Sequence, residues 1–384
     1  MMDFILENAA LGKPTEFTSE PMKLALVDGS EFVGKGFGAA KTVAGEVVFN
    51  TGMTGYLETL TDPSYKGQIL VLTYPLVGNY GVPPQRPAES LERPYESNRI
   101  QVQGLVVQNY VEAYSHHAAT RSLGEWLRSE GVPAITGVDT RTLTRRLREH
   151  GTMSGWLCPQ AIEREEADRS AEAVDMREVF HLVAPNETVR YPGGELTIMV
   201  VDVGVKDNIV RSLLARGASV IRVPWHARLA EVAAEADGIV IGNGPGDPKD
   251  LMPLVDQVRG LLGSYSKPIF GICLGNQILA LAAGGDTFKL PYGHRGVNQP
   301  VQDLLTRQSF ITSQNHGYAV RDDSLPSGWE PWFVNINDGT NEGVRSRTKP
   351  FFGVQFHPEA SPGPRDTGHL FNTFLSLVGA LARS

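Results

Sequence analysis

Residues 268–283 read Pro268-Ile269-Phe270-Gly271-Ile272-Cys273-Leu274-Gly275-Asn276-Gln277-Ile278-Leu279-Ala280-Leu281-Ala282-Ala283, and this stretch decides the fold of half the chain. A short apolar run predicts a strand over 268–272, and a longer apolar run predicts a helix over 274–283. The joint between them, Gly-x-Cys-x-Gly, is a nucleophile elbow with sulfur in place of a hydroxyl. Its two glycines let the chain turn without a β-carbon collision and lift the Cys273 side chain above the sheet edge. A helix that begins at such a turn has free N–H groups, here notably that of Leu274, which can donate to an oxyanion.

The pattern repeats on both sides. Strand-like 197–203 precedes helical 207–216, closed by Gly217. Strand 218–224 precedes helical 227–236. Strand 238–242 enters the loop Gly244-Pro245-Gly246-Asp247-Pro248 and then helical 251–262. An amphipathic helix over 367–382 ends the series. Alternation at this pace predicts a doubly wound, mostly parallel sheet with helices on both faces. Ligands of such sheets sit at the carboxyl ends of the strands, so the Gly244 loop and Cys273 face the same rim. Backbone N–H groups of the glycine loop can reach the same oxyanion.

A nucleophilic thiol needs a base. Of nine histidines, His357 stands out because a carboxylate follows two residues on, in Gly353-Val354-Gln355-Phe356-His357-Pro358-Glu359. Pro358 predicts an extended segment, in which residues two apart share a side. Glu359 is thereby placed to hydrogen-bond the imidazole as the third member of a triad. His316 falls in the polar segment Ser313-Gln314-Asn315-His316-Gly317-Tyr318, which reads as a loop.

The first half has a different texture. Strands are predicted over 23–28, 45–50, 68–73 and 103–109, and helices over 119–130 and 140–150. Asp139 is the N-cap of the second helix and Gly151 its terminator. That helix carries Arg141, Arg145, Arg146 and Arg148, a solvated face or a docking surface. Residues 1–22 read as a leader, 23–192 as a β-rich α+β domain, and 197–384 as the α/β domain. Gly29-Ser30-Glu31-Phe32-Val33-Gly34-Lys35 imitates a phosphate loop, but Gly36 follows in place of Ser or Thr and no helix opens there. It reads as a β-turn.

The 384 residues carry a net charge of −8, with 41% hydrophobic residues. The acidity argues against a nucleic-acid partner, and no apolar run reaches the ~18–20 residues of a membrane span. Cys158 and Cys273 form no metal-binding spacing and read as reduced thiols of a cytoplasmic protein.

The Cys273 elbow, the His357-Pro358-Glu359 segment and the Gly244 loop, in their chain order, resemble the class I (triad) glutamine amidotransferases. The resemblance implies Cys273 as nucleophile, His357 as base and then acid, and Glu359 as its orienter. It also implies oxyanion N–H groups from Gly244 and Leu274, and glutamine held by Gly246, Gln277, Asn315, Gly317 and Tyr318. In the first half, Gly45–Tyr56, Leu60-Thr61-Asp62-Pro63-Ser64-Tyr65, Leu72–Tyr80 and Gly137-Val138-Asp139-Thr140-Arg141 resemble the carbamoyl-phosphate synthetase small-chain family. That resemblance implies that Ser64 reaches the glutamine. It implies no cofactor or metal in this chain. It implies as partner a separate large chain that would use ATP and Mg to make carbamoyl phosphate for arginine and pyrimidine synthesis. The competing expectations are a glutaminase chain for another synthetase, such as those for anthranilate or guanylate, a partner-independent γ-glutamyl thiol hydrolase, and a degenerate binding subunit.

Overall fold

A computed structural model describes residues 20–85, 87, 90, 91 and 94–382. The leader reading falls mostly outside them, but Pro21 and Met22 already belong to the first strand, Pro21–Leu26.

Seven strands of the first half close into a barrel in the order Pro21–Leu26, Glu31–Gly36, Ala134–Thr136, Gly104–Val106, Gln68–Leu72, Val43–Asn50 and Met153–Pro159. The two-residue period of a strand divides its apolar residues between two cores. Val47, Phe49, Ile69, Val71 and Val106 pack with Leu143 and Leu147 of the helix Thr140–His150. The intervening Val48, Leu70, Leu72 and Leu105 pack with Leu57, Leu60, Leu123, Trp126 and Leu127 from the helices Tyr56–Thr61 and Leu123–Ser129. Asp139 caps the Thr140–His150 helix through the Thr142 N–H, and Gly151 ends it. The helix expected over 119–130 starts later, because Ser122 and Glu125 form a reciprocal capping box that fixes its first turn.

The second half is built on a ten-stranded sheet. Its order is Val189–Tyr191, Ser219–Pro224, Thr197–Asp202, Gly238–Ile241, Ile269–Ile272, Phe351–Val354, Asn341–Ser346, Trp329–Asn335, Thr287–Asp303 and Ser309–Val320. The five strands from Ser219–Pro224 to Phe351–Val354 run parallel. Beyond Phe351–Val354 the sheet continues as an antiparallel meander. Helices cover both faces of the parallel part and give it two cores, one around Met199, Ile239 and Ile278, the other around Val200, Phe270 and Phe374.

Three features differ from the sequence reading. Val189–Tyr191 lies within the span read as the first domain, yet it pairs with Ser219–Pro224 at the edge of the second sheet. Val179 and Phe180 join that sheet's core as well. Segments this short carry no measurable period. Ser313–Tyr318, read as a loop, is the middle of the strand Ser309–Val320. It is buried by pairing with Thr287–Asp303 and so needs no apolar alternation. The third is the His357-Pro358-Glu359 segment, a tight turn closed by the Ala360 N–H on the His357 carbonyl at 3.0 Å. Pro358 there supplies the fixed φ of a turn's second residue.

The tightest packing lies at the elbow. A Cβ on Gly275 would stand 1.9 Å from the Ile241 carbonyl oxygen, and one on Gly271 2.6 Å from the Gly275 oxygen. Gly260, on the exposed face of the helix Met252–Ser264, has nothing within 4 Å. Gly275→Ala is therefore expected to destabilise the fold by about 2 kcal/mol or more. Gly260→Ala should stabilise it by about 0.5–1 kcal/mol. Urea unfolding of the two variants beside the parent measures both.

Candidate active site

Cys273 stands between the strand Ile269–Ile272 and the helix Leu274–Ala283 at φ 56° and ψ −106°, a conformation that L-residues rarely adopt. The parallel sheet holds it there: its N–H donates to the Val354 carbonyl at 2.8 Å. The Gly244 loop leaves the neighbouring strand Gly238–Ile241 and lies against the elbow, since a Cβ on Gly244 would stand 3.0 Å from Leu274 Cδ2. Ser64, Gly244, Gly246, Cys273, Leu274, Gln277, Asn315, Gly317 and Tyr318 line one cleft of about 710 Å³, walled on its other side by barrel residues such as Glu46 and Trp156.

His357 and Glu359 do not line the cleft; both are buried. His357 Nδ1 lies 2.6 Å from Glu359 Oε1, while Nε2 is buried without a hydrogen-bond partner. Burial would lower the His357 pKa, but the Glu359 carboxylate and the nearby Cys273 sulfur outweigh it and hold the ring protonated well above the usual histidine range. Burial would likewise raise Glu359, yet the Lys206 ammonium and the imidazole pull its carboxyl down to about 2.

Lys206 is a residue the sequence reading missed. Its Nζ is 3.1 Å from Glu359 Oε1 and also donates to the Ala360 carbonyl. Asn208 donates to the Glu359 backbone oxygen. Both follow the strand Thr197–Asp202, and their one sequence signal was a polar run at a strand's carboxyl end. Glu96, from the first half, is fully buried beside them and pairs with Arg211. Burial pushes its carboxyl up to about 7 against the pull of Lys206 and Arg211.

The barrel reaches the site through a three-residue 3₁₀ turn, Pro63–Tyr65, capped by Asp62 on the Ser64 N–H. The other Asp62 oxygen accepts from Asn315 Nδ2 at 2.9 Å. Ser64 Oγ accepts from Asn243 Nδ2 at 2.9 Å, which leaves the Ser64 hydroxyl proton free toward the cleft. Gln277 spends both donors inward, on the Tyr318 carbonyl at 2.8 Å and on Gln355 Oε1 at 3.0 Å. Toward a ligand Gln277 can therefore act through its oxygen only. Asn243, Asp62 and Gln355 were also missed, although Asp62 and Gln355 sit inside motifs already quoted.

Behind the strand Ser309–Val320, His294, His316 and Glu342 bring ligand-type atoms within 4.8 Å of one another. Both histidines have hydrogen-bond partners, His316 with the Tyr318 carbonyl at 2.9 Å and Gln314 Oε1 at 3.2 Å. His294 bridges Glu342 and Asp338 at 3.1 and 2.8 Å, and Asn335 donates to the same Glu342 oxygen at 2.9 Å. Among the described residues, no helix is long and apolar enough to cross a membrane.

An elbow cysteine at the carboxyl rim of a parallel sheet, with a buried His-Glu pair on the adjacent strand's exit, places the second half among the amidotransferase folds. Residues 199–377 match the family model of class-I glutamine amidotransferases. Residues 24–157 match the CPSase domain of the carbamoyl-phosphate synthase small chain. The chain is 49% identical to the carbamoyl phosphate synthase small chain of Symbiobacterium thermophilum, over 93% of this chain and 98% of that one. It is 47% identical to the arginine-specific small chain of Aspergillus niger, over 96% of this chain and 81% of that one. The chain belongs to the carbamoyl-phosphate synthase small-chain family. It is also 46% identical to the multifunctional protein URA2 of Saccharomyces cerevisiae, over 98% of this chain but only 18% of that protein. The chain thus spans about a fifth of the length of the multifunctional relatives it matches.

Because the Glu359 pKa falls on folding, its contribution to stability is full above about pH 4.5 and is lost as pH falls toward about 2. Between those limits the parent should lose on the order of 3 kcal/mol more than a Glu359→Gln variant, which has no such proton to take up. Urea unfolding as a function of pH tests this: equal slopes would mean that Glu359 is not held as a buried carboxylate.

Proposed function

We propose that this chain hydrolyses L-glutamine to glutamate and ammonia, and that Cys273, His357 and Glu359 carry the reaction. The carrying observation is the Cys273 sulfur on the cleft wall with a buried, protonated His357 beside it whose Nε2 has no other partner. The sulfur attacks the side-chain amide carbon. Negative charge moves to the amide oxygen, to which the Leu274 and Gly244 N–H groups donate. The C–N bond then breaks as His357 gives its Nε2 proton to the departing nitrogen, and a γ-glutamyl thioester remains. Water enters, loses a proton to His357 and attacks the thioester. Glutamate leaves as the C–S bond breaks, its new carboxyl loses a proton to solvent, and the thiolate and the protonated imidazole are restored. Glu359, fixed by Lys206, keeps the ring oriented and balances its charge.

Substrate is held from both halves. Ser64 donates its free hydroxyl proton, Gln277 accepts through its oxygen, and the Gly246, Asn315, Gly317 and Tyr318 segments wall the pocket. Ammonia is protonated in water at neutral pH, so its use requires covered passage to an acceptor site. We assign that site to a separate large chain, which supplies the ATP and Mg chemistry and makes carbamoyl phosphate from bicarbonate for arginine and pyrimidine synthesis. The match to separate small chains over nearly their whole length supports this division. Two free cysteines suit a reducing, cytoplasmic setting.

In the complex with its large chain, Cys273→Ser should lower glutamine-dependent synthesis at least about a thousandfold and leave ammonia-dependent synthesis intact. Retained glutaminase activity would sink the assignment. Ser64→Ala should mainly raise the KM for glutamine, by about tenfold for one hydrogen bond, and an unchanged KM would remove Ser64 from the pocket.

A further inference from the structure

Gln355 has no role in the reaction as described, yet its amide ends at the nucleophile. The side chain is fully buried, and its Nε2 lies 3.8 Å from Cys273 Sγ. Its oxygen accepts from Gln277 Nε2 at 3.0 Å, and the same nitrogen donates to the Tyr318 backbone carbonyl at 2.8 Å. A backbone carbonyl can only accept, so Gln277 must turn its NH₂ group toward Tyr318 and Gln355. That in turn obliges Gln355 to face Gln277 with its oxygen and the sulfur with its NH₂. Both amide orientations follow from one carbonyl. Besides His357, the sulfur also meets the Asn315 backbone carbonyl oxygen at 3.7 Å. That oxygen suits an S–H donor and repels a thiolate. An N–H donor does the reverse, and its bond strengthens when the acceptor is charged.

We propose that Gln355 is a positioning residue for Cys273. It donates an amide N–H to the thiolate and holds the sulfur in line for attack, with Gln277 and Tyr318 fixing its direction. The inference rests on Cys273 being the nucleophile. It also gives Gln277 a second task, since the residue that faces the ligand with its oxygen aligns the sulfur's donor with its nitrogen.

The charged and titratable groups around the sulfur come from four elements. His357 and Glu359 lie in the turn after Phe351–Val354, and Lys206 immediately before the helix Asp207–Leu214. His316 lies on Ser309–Val320, and Asp62 acts through Asn315. None of these contacts is made by the Gln355 side chain, so its replacement by leucine removes the sulfur's neutral donor and the acceptor of one Gln277 N–H, and changes no charge.

The test is alkylation of the full chain with iodoacetamide across pH, in the parent, Gln355→Leu and Gln355→Glu, with glutaminase kinetics on each. Removing the donor in Gln355→Leu should move the pH midpoint of alkylation up by about one pH unit. Gln355→Glu, of equal size, should move it further, because a carboxylate then faces the sulfur. In both, kcat should fall about ten- to a hundredfold, the worth of one charge-assisted hydrogen bond, with a smaller change in KM. A parent-like midpoint in the folded Gln355→Glu variant overturns the proposal. So does a rise in KM at constant kcat, which would make Gln355 a support of the substrate pocket. If the Gln355→Leu variant does not fold, the isosteric Gln355→Glu variant decides. If alkylation of the parent at Cys273 leaves glutaminase activity intact, the nucleophile assignment itself fails, independently of either variant.

Discussion

The first turn of the helix Leu274–Ala283 rests directly on the end of the strand Gly238–Ile241, with Gly275 against the Ile241 carbonyl at a distance no side chain could share. This close approach sets the rest of the site. It draws the helix down until Cys273 has to cross over at a positive φ that L-residues rarely adopt, and it brings the Gly244 loop beside Leu274. The strain at Cys273, of order 1–3 kcal/mol for such a residue, is offset by the packing of an almost entirely buried helix. The sulfur is thereby fixed between a buried strand and an almost entirely buried helix.

The second organising element is a line of buried charge that crosses between the halves. His357, Glu359, Lys206, Glu96 and Arg211 follow one another, with Glu96 contributed by the first half. Removing one member leaves its neighbour as an uncompensated buried charge, which typically costs about 3–5 kcal/mol. Asp62 to Asn315 and Ser64 to Asn243 make parallel links. The first half is thus both a wall of the cleft and a partner in the electrostatics of the base.

Much of this was legible in the chain. The Gly-x-Cys-x-Gly joint, the glycine loop after 238–242 and the His357-Pro358-Glu359 tripeptide are local signals, because each turn's chemistry is written in a few adjacent residues. The Asp139 cap and the Gly151 stop were readable for the same reason. The meander from 287 to 346 was not. Its strand Ser309–Val320 is polar through Asn315 and His316, both buried, because these side chains are hydrogen-bonded to Asp62 and to Gln314 and the Tyr318 carbonyl. The short edge strand Val189–Tyr191 went unread because three residues carry no period and their partner is far along the chain.

The sequence by itself determined the chemistry on offer: which thiol stands in an elbow, which imidazole has a carboxylate two residues on, and which glycines keep the rim clear. Only the tertiary structure decided how those groups are charged and held. Lys206, Glu96, Asn243 and Gln355 act on the triad and its cleft through contacts that no adjacent residues spell out, and their signal is distance and burial. A lysine reads as surface in a sequence; only burial against Glu359 turns it into the charge that holds the carboxylate ionised. A glutamine amide has two ends, and only a fixed carbonyl across the sheet determines which of them meets the sulfur.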